Sequence, residues 1–516
     1  SSKMKVKQQP EAKEKKPKKE QKPLTASEKL RKFERDLWDV ACKLWTNTNL
    51  RPVDYKIPVL ALIFLRFADQ KFNVVAKTLE SKSSRRDPSP DDYKAKGVIY
   101  LPPEARWDYL KSMAEGQDVG AAINNAMTLI ENENEDLKGI LPKTFNRFRS
   151  EVLLSLMRVF HGAEELEGDN FGRIYEFFMS EFEKDSGQKG GEFFTPPSIV
   201  KLIVEIIEPY HGKIYDPACG SGGMFAQSAK FVEAHRKRPS EELAAFGQEK
   251  TAETIKIAKM NLAISGFSGV IKGGNSYYDD EHRATGKFDF VMANPPFNAS
   301  GVDKERIKDD KKRFPFGMPS TDNANYLWIQ LFYSALNETG RAGFVMANSA
   351  SDARGSELEI RKQITEAGAV DVIVSVSTNF FYTVTLPVTL WFFDKGKPND
   401  RKDKVLFIDA RDIFTQVNRA LREYSVTQLE FIANVVRAFR GEKLEFSSEN
   451  SQFSECFPEG RYRDVKGICA VKTIQEIEKE GWSLNPGRYV GAQDGEVSGV
   501  EFSEKIGALK TEFKLL

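Results

Sequence analysis

The sequence predicts an α/β fold in which a Rossmann-like, mostly parallel sheet lies between an all-helical N-terminal domain and a helical C-terminal tail. Residues 25–165 repeat apolar side chains at spacings of three and four and carry few strand signals. From about residue 185, short apolar stretches alternate with longer helical stretches, which is typical of βαβ units and a parallel sheet. After residue 424 the pattern is again helical or irregular.

Length and charge indicate several domains and no strong bias toward one kind of partner. A chain of 516 residues is too long for one hydrophobic core, and its 40% hydrophobic and 29% charged residues are ordinary for a globular protein. Residues 1–22 hold nine Lys and three Glu, a charge of +6, against −5 for the remainder of a chain of net charge +1. We expect residues 1–24 to be a disordered basic tail; the alternative is an arm that contacts phosphates.

Cysteine usage and hydropathy bear on the compartment. The sequence contains no apolar stretch of about 18 residues, so no transmembrane helix is expected. No apolar segment typical of a signal peptide follows the lysine-rich start. The four cysteines show no CxxC spacing and the four histidines stand far apart, which argues against a structural metal site or a disulfide framework. We therefore expect a cytoplasmic protein that binds no metal and has no contact with a membrane.

The helical N-terminal domain, residues 25–165, is expected to contain at least two long helices. The stretch "SEKLRKFERDLWDVACKLW" is amphipathic, and "YKIPVLALIFLRFADQKF" is a more buried helix that Pro58 interrupts. The polar, proline-containing stretch that begins at Ser81 is expected to be a surface loop inside this domain.

A glycine turn opens the sheet region, residues 166–424. In "YDPACGSGGMF", Asp216 and three glycines (Gly220, Gly222 and Gly223) follow a strand and precede a helix. Such a turn lets a ligand approach the backbone, although the third glycine of a dinucleotide fingerprint is replaced by Phe225. A plain strand-to-helix turn is the alternative. Glu249, at the end of the next strand, is placed to accept ribose hydroxyls, so the pair predicts a nucleoside cofactor of unspecified kind.

A second loop ends a later strand. In "KFDFVMANPPFN", apolar residues typical of a buried strand run into Asn294, and Pro295 and Pro296 then prevent further ladder pairing. Phe297 follows directly. In an open α/β sheet ligands bind at this edge, so a rigid loop that presents an amide and a ring is suited to a flat, polar group.

Taken together, "DPACGSGG" followed by "ANPPF", with "GEFFTPP" upstream, resembles the N6-adenine DNA methyltransferases. With the helical N-terminal domain and the late "WSLNPGRYVG", the chain resembles the modification (M) subunit of type I restriction-modification systems, from about Leu24 to Val490. The resemblance implies an S-adenosyl-L-methionine-dependent methyltransferase domain that acts on N6 of a flipped-out adenine.

The exocyclic nitrogen of adenine is a poor nucleophile, because its lone pair is delocalised into the ring. The side-chain oxygen of Asn294 and the backbone oxygen of Pro295 are expected to accept its two N–H bonds, with Pro296 fixing their geometry and Phe297 stacking on the base. No strong general base is demanded, because the leaving group is already cationic.

The resemblance also assigns residues to the cofactor. It implies that "EFFTPP" lines the methionine end, that the glycine turn cradles the cofactor, and that Glu249 holds the ribose. The family usually has Asp where Asn275 stands, which makes cofactor affinity the open question. The implied cofactor residues are Glu192, Phe193, Phe194, Thr195, Pro196, Pro197, Asp216, Gly220, Ser221, Gly222, Gly223, Glu249 and Asn275.

Two further segments leave alternatives open. "STNFFYTVTLPVTLWFF" resembles a later motif whose aromatic contacts the flipped base. Phe381 is the candidate there, with a core phenylalanine as the equal alternative, and Thr383 and Thr385 depart from the glycines usual in the family. Residues 301–317, which follow the Asn-Pro-Pro-Phe loop, either fold over target DNA or form a solvated face.

Residues 425–516 show no basic or aromatic cluster suited to reading base edges. Sequence choice is therefore expected to lie in a separate specificity (S) subunit, with residues 425–516 as docking elements. The resemblance further implies DNA, a restriction (R) subunit and a second M subunit as partners. Two alternatives remain: methylation of amides or amines in protein or RNA, and a non-catalytic scaffold.

Overall fold

The computed structural model describes residues 22–46, 48–81, 86–113, 116–161, 170–175, 177–178, 181, 195–381 and 386–491. Predictions for most of the basic tail, for Glu192, Phe193 and Phe194, and for Thr383 and Thr385 lie outside the described residues.

The central feature is a nine-stranded sheet, with a separate two-stranded ribbon of β9 and β10. Its strands follow the order β11-β8-β6-β7-β5-β4-β1-β2-β3. The strands are β1 Gly212–Asp216, β2 Leu243–Glu249, β3 Ser268–Gly273, β4 Phe288–Ala293, β5 Leu336–Ala347, β6 Val370–Val376, β7 Val388–Asp394, β8 Lys404–Ala410, β9 Thr415–Asn418, β10 Leu421–Glu423 and β11 Cys469–Thr473.

Most neighbouring strands in the sheet run parallel, as the alternation of strand and helix signals predicts. β7 is antiparallel to both β5 and β6, and β11 is antiparallel to β8. Because β1, β2, β3 and β4 are parallel, their carboxyl ends meet at one edge of the sheet. The predicted mostly parallel sheet is confirmed.

Helices form the N-terminal region and cover the sheet. They are Ala26–Thr46, Pro52–Ser81, Pro90–Ala95, Trp107–Lys111, Val119–Glu133 and Ser150–His161, then Pro197–Ile207, Gly223–Ala234, Pro239–Glu242, Ala252–Ile264, Asn325–Ala335 and Ser356–Glu366, and finally Val426–Arg440, Ser451–Cys456 and Ile474–Lys479. The helix Pro52–Ser81 continues through Pro58 rather than stopping there. Pro58 is the seventh residue of this helix, past its first turn, so the helix lacks the N–H that would donate to the carbonyl of Asp54.

Two hydrophobic cores correspond to the N-terminal helices and to the sheet. The N-terminal core also contains Ile257, Met260 and Ile264, which belong to the helix after β2. Lys71 donates a hydrogen bond to the carbonyl of Ile264, and Lys56 forms an ion pair of 3.1 Å with Glu253. The N-terminal helices are therefore held against the helix that follows β2.

The C-terminal region differs from the helical extension that the sequence predicts. β11 pairs with β8, with Cys469 opposite Ile408, and so forms an edge of the main sheet. The helix Val426–Arg440 buries Phe431, Ile432 and Val435 in the same core as the sheet. Residues 425–490 are therefore part of the sheet domain. A five-residue strand with no neighbouring strand in sequence is too short to produce a recognisable alternation.

Within the described residues, no helix combines the length and the apolar character needed to cross a membrane.

Candidate active site

A cleft lies at the carboxyl ends of β1, β2, β3 and β4, and it brings together most of the predicted site residues that the structure describes. β1 ends at Asp216 and β2 ends at Glu249, while Asn294 follows the last residue of β4 directly. The predicted residues that line the cleft are Thr195, Asp216, Gly220, Ser221, Gly223, Glu249, Asn275, Asn294 and Pro296.

The glycine turn wraps one end of this cleft. Gly220 and Gly222 have φ values of 51° and 84°, in the left-handed region that favours glycine. A Cβ atom at Gly220 or Gly223 would meet no heavy atom within 4 Å, because both positions face open space. Helix Gly223–Ala234 starts at this turn, so its free N–H groups lie beside the cleft. The turn thus leaves room for a ligand close to the backbone.

Two buried carboxyl groups stand on the cleft wall. Glu249 accepts a hydrogen bond from the backbone N–H of Gly220 at 3.1 Å, which couples the end of β2 to the glycine turn. Asp216 accepts from the N–H of Ala218 at 3.0 Å. Burial raises the pKa of Asp216 well above its usual value, and the negative charge of Glu249 adds to this effect. A positively charged ligand would lower that pKa and is therefore favoured here.

Cys219 also lines the cleft, and sequence reasoning gave it no role. Burial raises the pKa of its thiol well above the usual value, and the charges of Asp216 and Glu249 act in the same direction. The group therefore stays a neutral thiol rather than a nucleophilic thiolate.

The loop after β4 is tied to the "TPP" segment. The side-chain amide nitrogen of Asn294 donates to the hydroxyl oxygen of Thr195 at 2.7 Å. This bond joins two motifs that are 99 positions apart in sequence, and in it the nitrogen arm of the Asn294 amide faces Thr195. Thr195 therefore has a contact with the Asn-Pro-Pro-Phe loop that the sequence did not indicate.

A second contact fixes the far end of the same loop. Asn298 has a left-handed φ of 56°, which asparagine tolerates better than most residues. Its backbone N–H donates to the side-chain oxygen of Asn325 at 2.7 Å, and its own side-chain oxygen accepts from the Asn325 amide at 2.9 Å. Asn325 begins the helix Asn325–Ala335 and is 2% exposed. The loop is therefore clamped from both sides.

Five predicted residues do not line the cleft: Pro196, Pro197, Gly222, Pro295 and Phe297. Pro197 is the first residue of a helix, and Pro196 lies just before it. Phe297 is 6% exposed and packs in the core of the sheet domain. Phe381 is 4% exposed and belongs to the same core, which agrees with the core alternative that the sequence left open for it.

Sequence reasoning missed an aromatic wall of the cleft. Tyr277 and Trp328 both line it, their ring centroids lie 4.9 Å apart, and the Trp328 indole N–H donates to the Tyr277 hydroxyl at 2.8 Å. Tyr277 follows β3 and Trp328 lies on the helix Asn325–Ala335. In the sequence these two residues stand in the short apolar stretches "YY" and "LW". Nothing in those stretches distinguishes aromatic residues that line a cleft from aromatic residues that pack in a core.

Asn275 is placed at this wall by the turn after β3. Its side-chain oxygen accepts from the N–H of Tyr277 at 3.1 Å, and its own N–H donates to the Asp279 carboxylate at 3.1 Å. The shape of the turn therefore depends on Asn275, in addition to any contact that it makes with a ligand.

Comparison with known proteins gives consistent matches over nearly the whole chain. The N-6 DNA Methylase family model matches residues 166–497, and the HsdM N-terminal domain model matches residues 33–160. The chain is 38% identical to the type I restriction enzyme MjaIX methylase subunit of Methanocaldococcus jannaschii, covering 94% of this chain and 88% of that protein. It is 34% identical to the HindI methylase subunit of Haemophilus influenzae, covering 80% and 95%.

The fold has a counterpart among solved structures. The type I restriction-modification system methyltransferase subunit from Streptococcus thermophilus superimposes with a TM-score of 0.66 at 21% identity. The match covers 90% of this chain and all of that one.

Proposed function

The chain belongs to the N-6 DNA methylase family, among the methylase subunits of type I restriction enzymes, and from this premise we propose that its cleft transfers a methyl group from S-adenosyl-L-methionine to N6 of adenine in DNA. The observation that carries the proposal is the meeting of the Asn294 loop with the glycine turn and Glu249 in a single cleft.

The residues of the cleft fit the proposed cofactor. The open space beside Gly220 and Gly223 is the kind of cradle that a side chain would fill. Glu249 accepts from the backbone N–H groups of Gly220 and Thr251 at the cleft wall, and we assign its carboxylate, which has about four acceptor sites, to the ribose hydroxyls as well. Asp216 and Glu249 together favour a cation such as a sulfonium. When bound, this cofactor supplies an electrophilic methyl group.

The task of the chain's own residues is to hold the adenine amine. We assign the side-chain oxygen of Asn294 and the backbone oxygen of Pro295 as acceptors of its two N–H bonds. The contact with Thr195 supports this assignment. The Thr195 hydroxyl accepts a hydrogen bond from the side-chain nitrogen of Asn294, so the side-chain oxygen of Asn294 lies on the opposite side of the amide from Thr195. The twin prolines and the Asn298–Asn325 clamp limit movement of this loop, so the geometry is set before the substrate arrives.

The base must leave the duplex to reach this cleft, at a cost of a few kcal/mol of unstacking. Phe297 stays our candidate for stacking on it. Because only 6% of this residue is exposed, stacking requires the ring to be uncovered when DNA binds. We assign Phe381 to the core.

We further propose that the chain works inside a larger assembly. Residues 166–424 carry the chemistry, while residues 25–165 and 425–516 contact partners: an S subunit that chooses the sequence, an R subunit and a second M subunit. The relatives are named as methylase subunits of restriction enzymes, which supports an assembly of this kind.

A methyl-transfer assay with radiolabelled cofactor tests the proposal. We expect label in adenine of DNA when the chain is combined with its S subunit, and much less without it. Label in RNA or in protein glutamine would support the rival substrates instead. Cofactor binding with no transfer to any substrate would indicate a non-catalytic scaffold and refute the proposal.

A further inference from the structure

The segment 301–317, which follows the Asn-Pro-Pro-Phe loop, contains one basic residue that behaves unlike its neighbours. Lys311 and Lys312 are exposed, whereas Arg313 is 6% exposed. Burying a guanidinium is costly unless its donors are satisfied and its charge is paired. The partners of Arg313 therefore indicate what this segment does.

Arg313 holds the backbone of the turn after β3. Its Nη1 donates to the carbonyl of Ser276 at 2.8 Å, and its Nη2 donates to the carbonyl of Tyr277 at 3.1 Å. Its Nε donates to the carboxylate of Asp310 at 2.8 Å, and Asp310 also accepts from the Arg313 backbone N–H. The planar fork of arginine can reach both carbonyls and the carboxylate at once, which a lysine ammonium cannot do with the same geometry.

The two carbonyls belong to residues that line the cleft. The Ser276 hydroxyl donates to the carbonyl of Pro217, next to the glycine turn, and Tyr277 pairs with Trp328 on the opposite helix. Asn275, which precedes them, depends on the N–H of Tyr277 for its own orientation. One guanidinium thus fixes the turn that connects the glycine turn, the aromatic pair and Asn275.

Arg313 is not itself among the residues that line the cleft. It contacts the outer side of the wall, and its chain segment continues directly from the Asn294 loop. We propose that Arg313, oriented by Asp310, is a positioning residue for the cofactor: it holds the Ser276–Tyr277 turn and, through it, the aromatic pair against which the cofactor's nucleoside packs. This inference rests on the proposed function and narrows the role of the segment 301–317 to support of the cofactor wall.

Equilibrium binding of S-adenosyl-L-methionine to the full-length chain tests the proposal, with Arg313→Lys and Arg313→Gln measured by calorimetry. We expect the dissociation constant to rise about tenfold or more in both variants, since hydrogen bonds from a charged group are lost. In the assembled enzyme the KM for the cofactor should rise by a similar factor, while kcat at saturating cofactor and the affinity for DNA change less than threefold.

Lys312→Gln is the matched control, because it removes a neighbouring positive charge that the structure leaves exposed. It should leave cofactor binding unchanged. Asp310→Asn keeps Arg313 but weakens its anchor, and should give a smaller increase in the dissociation constant than Arg313→Lys.

Wild-type cofactor affinity in Arg313→Lys would overturn the inference. The inference would also be overturned if Arg313→Lys and Lys312→Gln both lost affinity for DNA while their cofactor binding stayed unchanged. That result would indicate that the segment 301–317 is a DNA-binding face. Thermal unfolding is followed in parallel, and a general loss of fold in Arg313→Lys and Asp310→Asn would reduce the residue to a structural role and also refute it. If the wild-type chain binds no cofactor, the proposed function fails; if it binds and the variants match it, only this inference fails.

Discussion

The two edges of the central sheet are built on different principles. At the carboxyl edge, the cleft is formed by glycines, asparagines, prolines and two carboxyl groups held by backbone N–H groups. At the amino edge, the strands meet a buried network of arginines and carboxylates. Both edges lie on the same sheet, so the difference is due to the loops and helices attached to each edge.

A network of buried charged residues joins the sheet to the end of the helix Val426–Arg440. We call it the amino-edge network, and its members are Glu208, Arg341, Asp371, Asp394, Arg401, Arg440 and Glu442. Asp371 is fully buried and pairs with Arg401 at 3.1 Å and with Arg440 at 2.9 Å. Arg341 contacts Asp394 at 3.2 Å and Glu442 at 3.0 Å. The network fastens residues from the C-terminal region to the strands of the sheet.

The comparison separates two uses of polar groups. At the amino edge each charge faces an opposite charge within the network, which keeps one arrangement of the C-terminal helix on the sheet. At the carboxyl edge, polar atoms are held in orientation while open space is kept beside Gly220 and Gly223. A change at the amino edge should therefore affect stability first, and a change at the carboxyl edge should affect transfer first.

The largest expected effect is that of Asp371→Asn. It leaves Arg401 and Arg440 without their common carboxylate, and removing one partner of a buried ion pair typically costs about 3–5 kcal/mol. We expect the denaturation midpoint to fall sharply while the transfer rate per folded molecule is retained. Urea unfolding followed by circular dichroism measures the first quantity, and labelled methyl transfer below the transition measures the second.

Asp400→Asn is the control, because it removes a carboxylate that is exposed at the surface of a nearby loop. It should shift the midpoint little. Equal stability of Asp371→Asn and wild type would show that the amino-edge network is not what holds the C-terminal helix in place.

At the carboxyl edge, Asn294→Ala should have the largest effect on rate. It removes the amide acceptor of the adenine amine, and loss of one preorganised hydrogen-bonding group in an active site typically costs about 10²- to 10³-fold in kcat. The thermal midpoint and the cofactor affinity should stay close to wild type. If this variant transferred methyl groups at the wild-type rate, Asn294 would not be the acceptor of the adenine amine. The claim that changes at the carboxyl edge affect transfer first would then also be wrong.

Thr195→Val should give a smaller loss at the same edge. It keeps the shape of the side chain but removes the oxygen that accepts from the Asn294 amide. One such hydrogen bond is worth about 1 kcal/mol, or roughly fivefold in rate. Thr195→Ser restores the hydroxyl and should recover most of the activity. If valine and serine give the same kcat, the bond does not orient Asn294.

The residues of the carboxyl edge could be predicted from the sequence more fully than those of the amino edge. Asn294 and Gly220 stand in short motifs at strand ends, so local pattern and resemblance were enough to bring them to one edge. Tyr277, Trp328 and Arg313 carry no motif, and their places depend on how the turn after β3 meets the helix Asn325–Ala335. No local pattern predicts such contacts.

The amino-edge network was not anticipated for a related reason. Asp371 and Arg440 are 69 positions apart, and neither lies in a recognisable pattern. The strand β11 escaped prediction because its partner β8 lies far upstream in sequence. Long-range pairing therefore accounts for most of what the sequence did not reveal, including the attachment of residues 425–490 to the sheet.

The smallest expected effect concerns a shared proton in the amino-edge network. Among the described residues, Oε1 of Glu208 and Oε2 of Glu442 are buried and have no hydrogen-bond donor as long as both carboxyl groups are ionised. Burial raises the pKa of Glu208 to about 8, and its hydrogen bond with Glu442 acts in the same direction. Burial also acts to raise the pKa of Glu442, but the bond from Glu208 and the charges of Arg440 and Arg341 hold it below its usual value. Glu208 is thus the member that carries the proton.

This assignment fixes the sign of a pH effect. Because the pKa of Glu208 is higher in the folded chain than in the unfolded one, the folded state binds more protons between about pH 4.5 and 8. The contribution of Glu208 is complete below that window and is lost as pH rises through about 8. In Glu208→Gln the amide donates to Glu442 at every pH, so the free energy of unfolding should fall less between pH 6 and 9 than in wild type.

Urea unfolding at several pH values measures both slopes, with Glu338→Gln as a surface control that should follow wild type. Parallel slopes for wild type and Glu208→Gln would mean that no proton is shared at this edge. The network would then hold a full negative charge on both carboxylates, and only the nearby arginines could stabilise it.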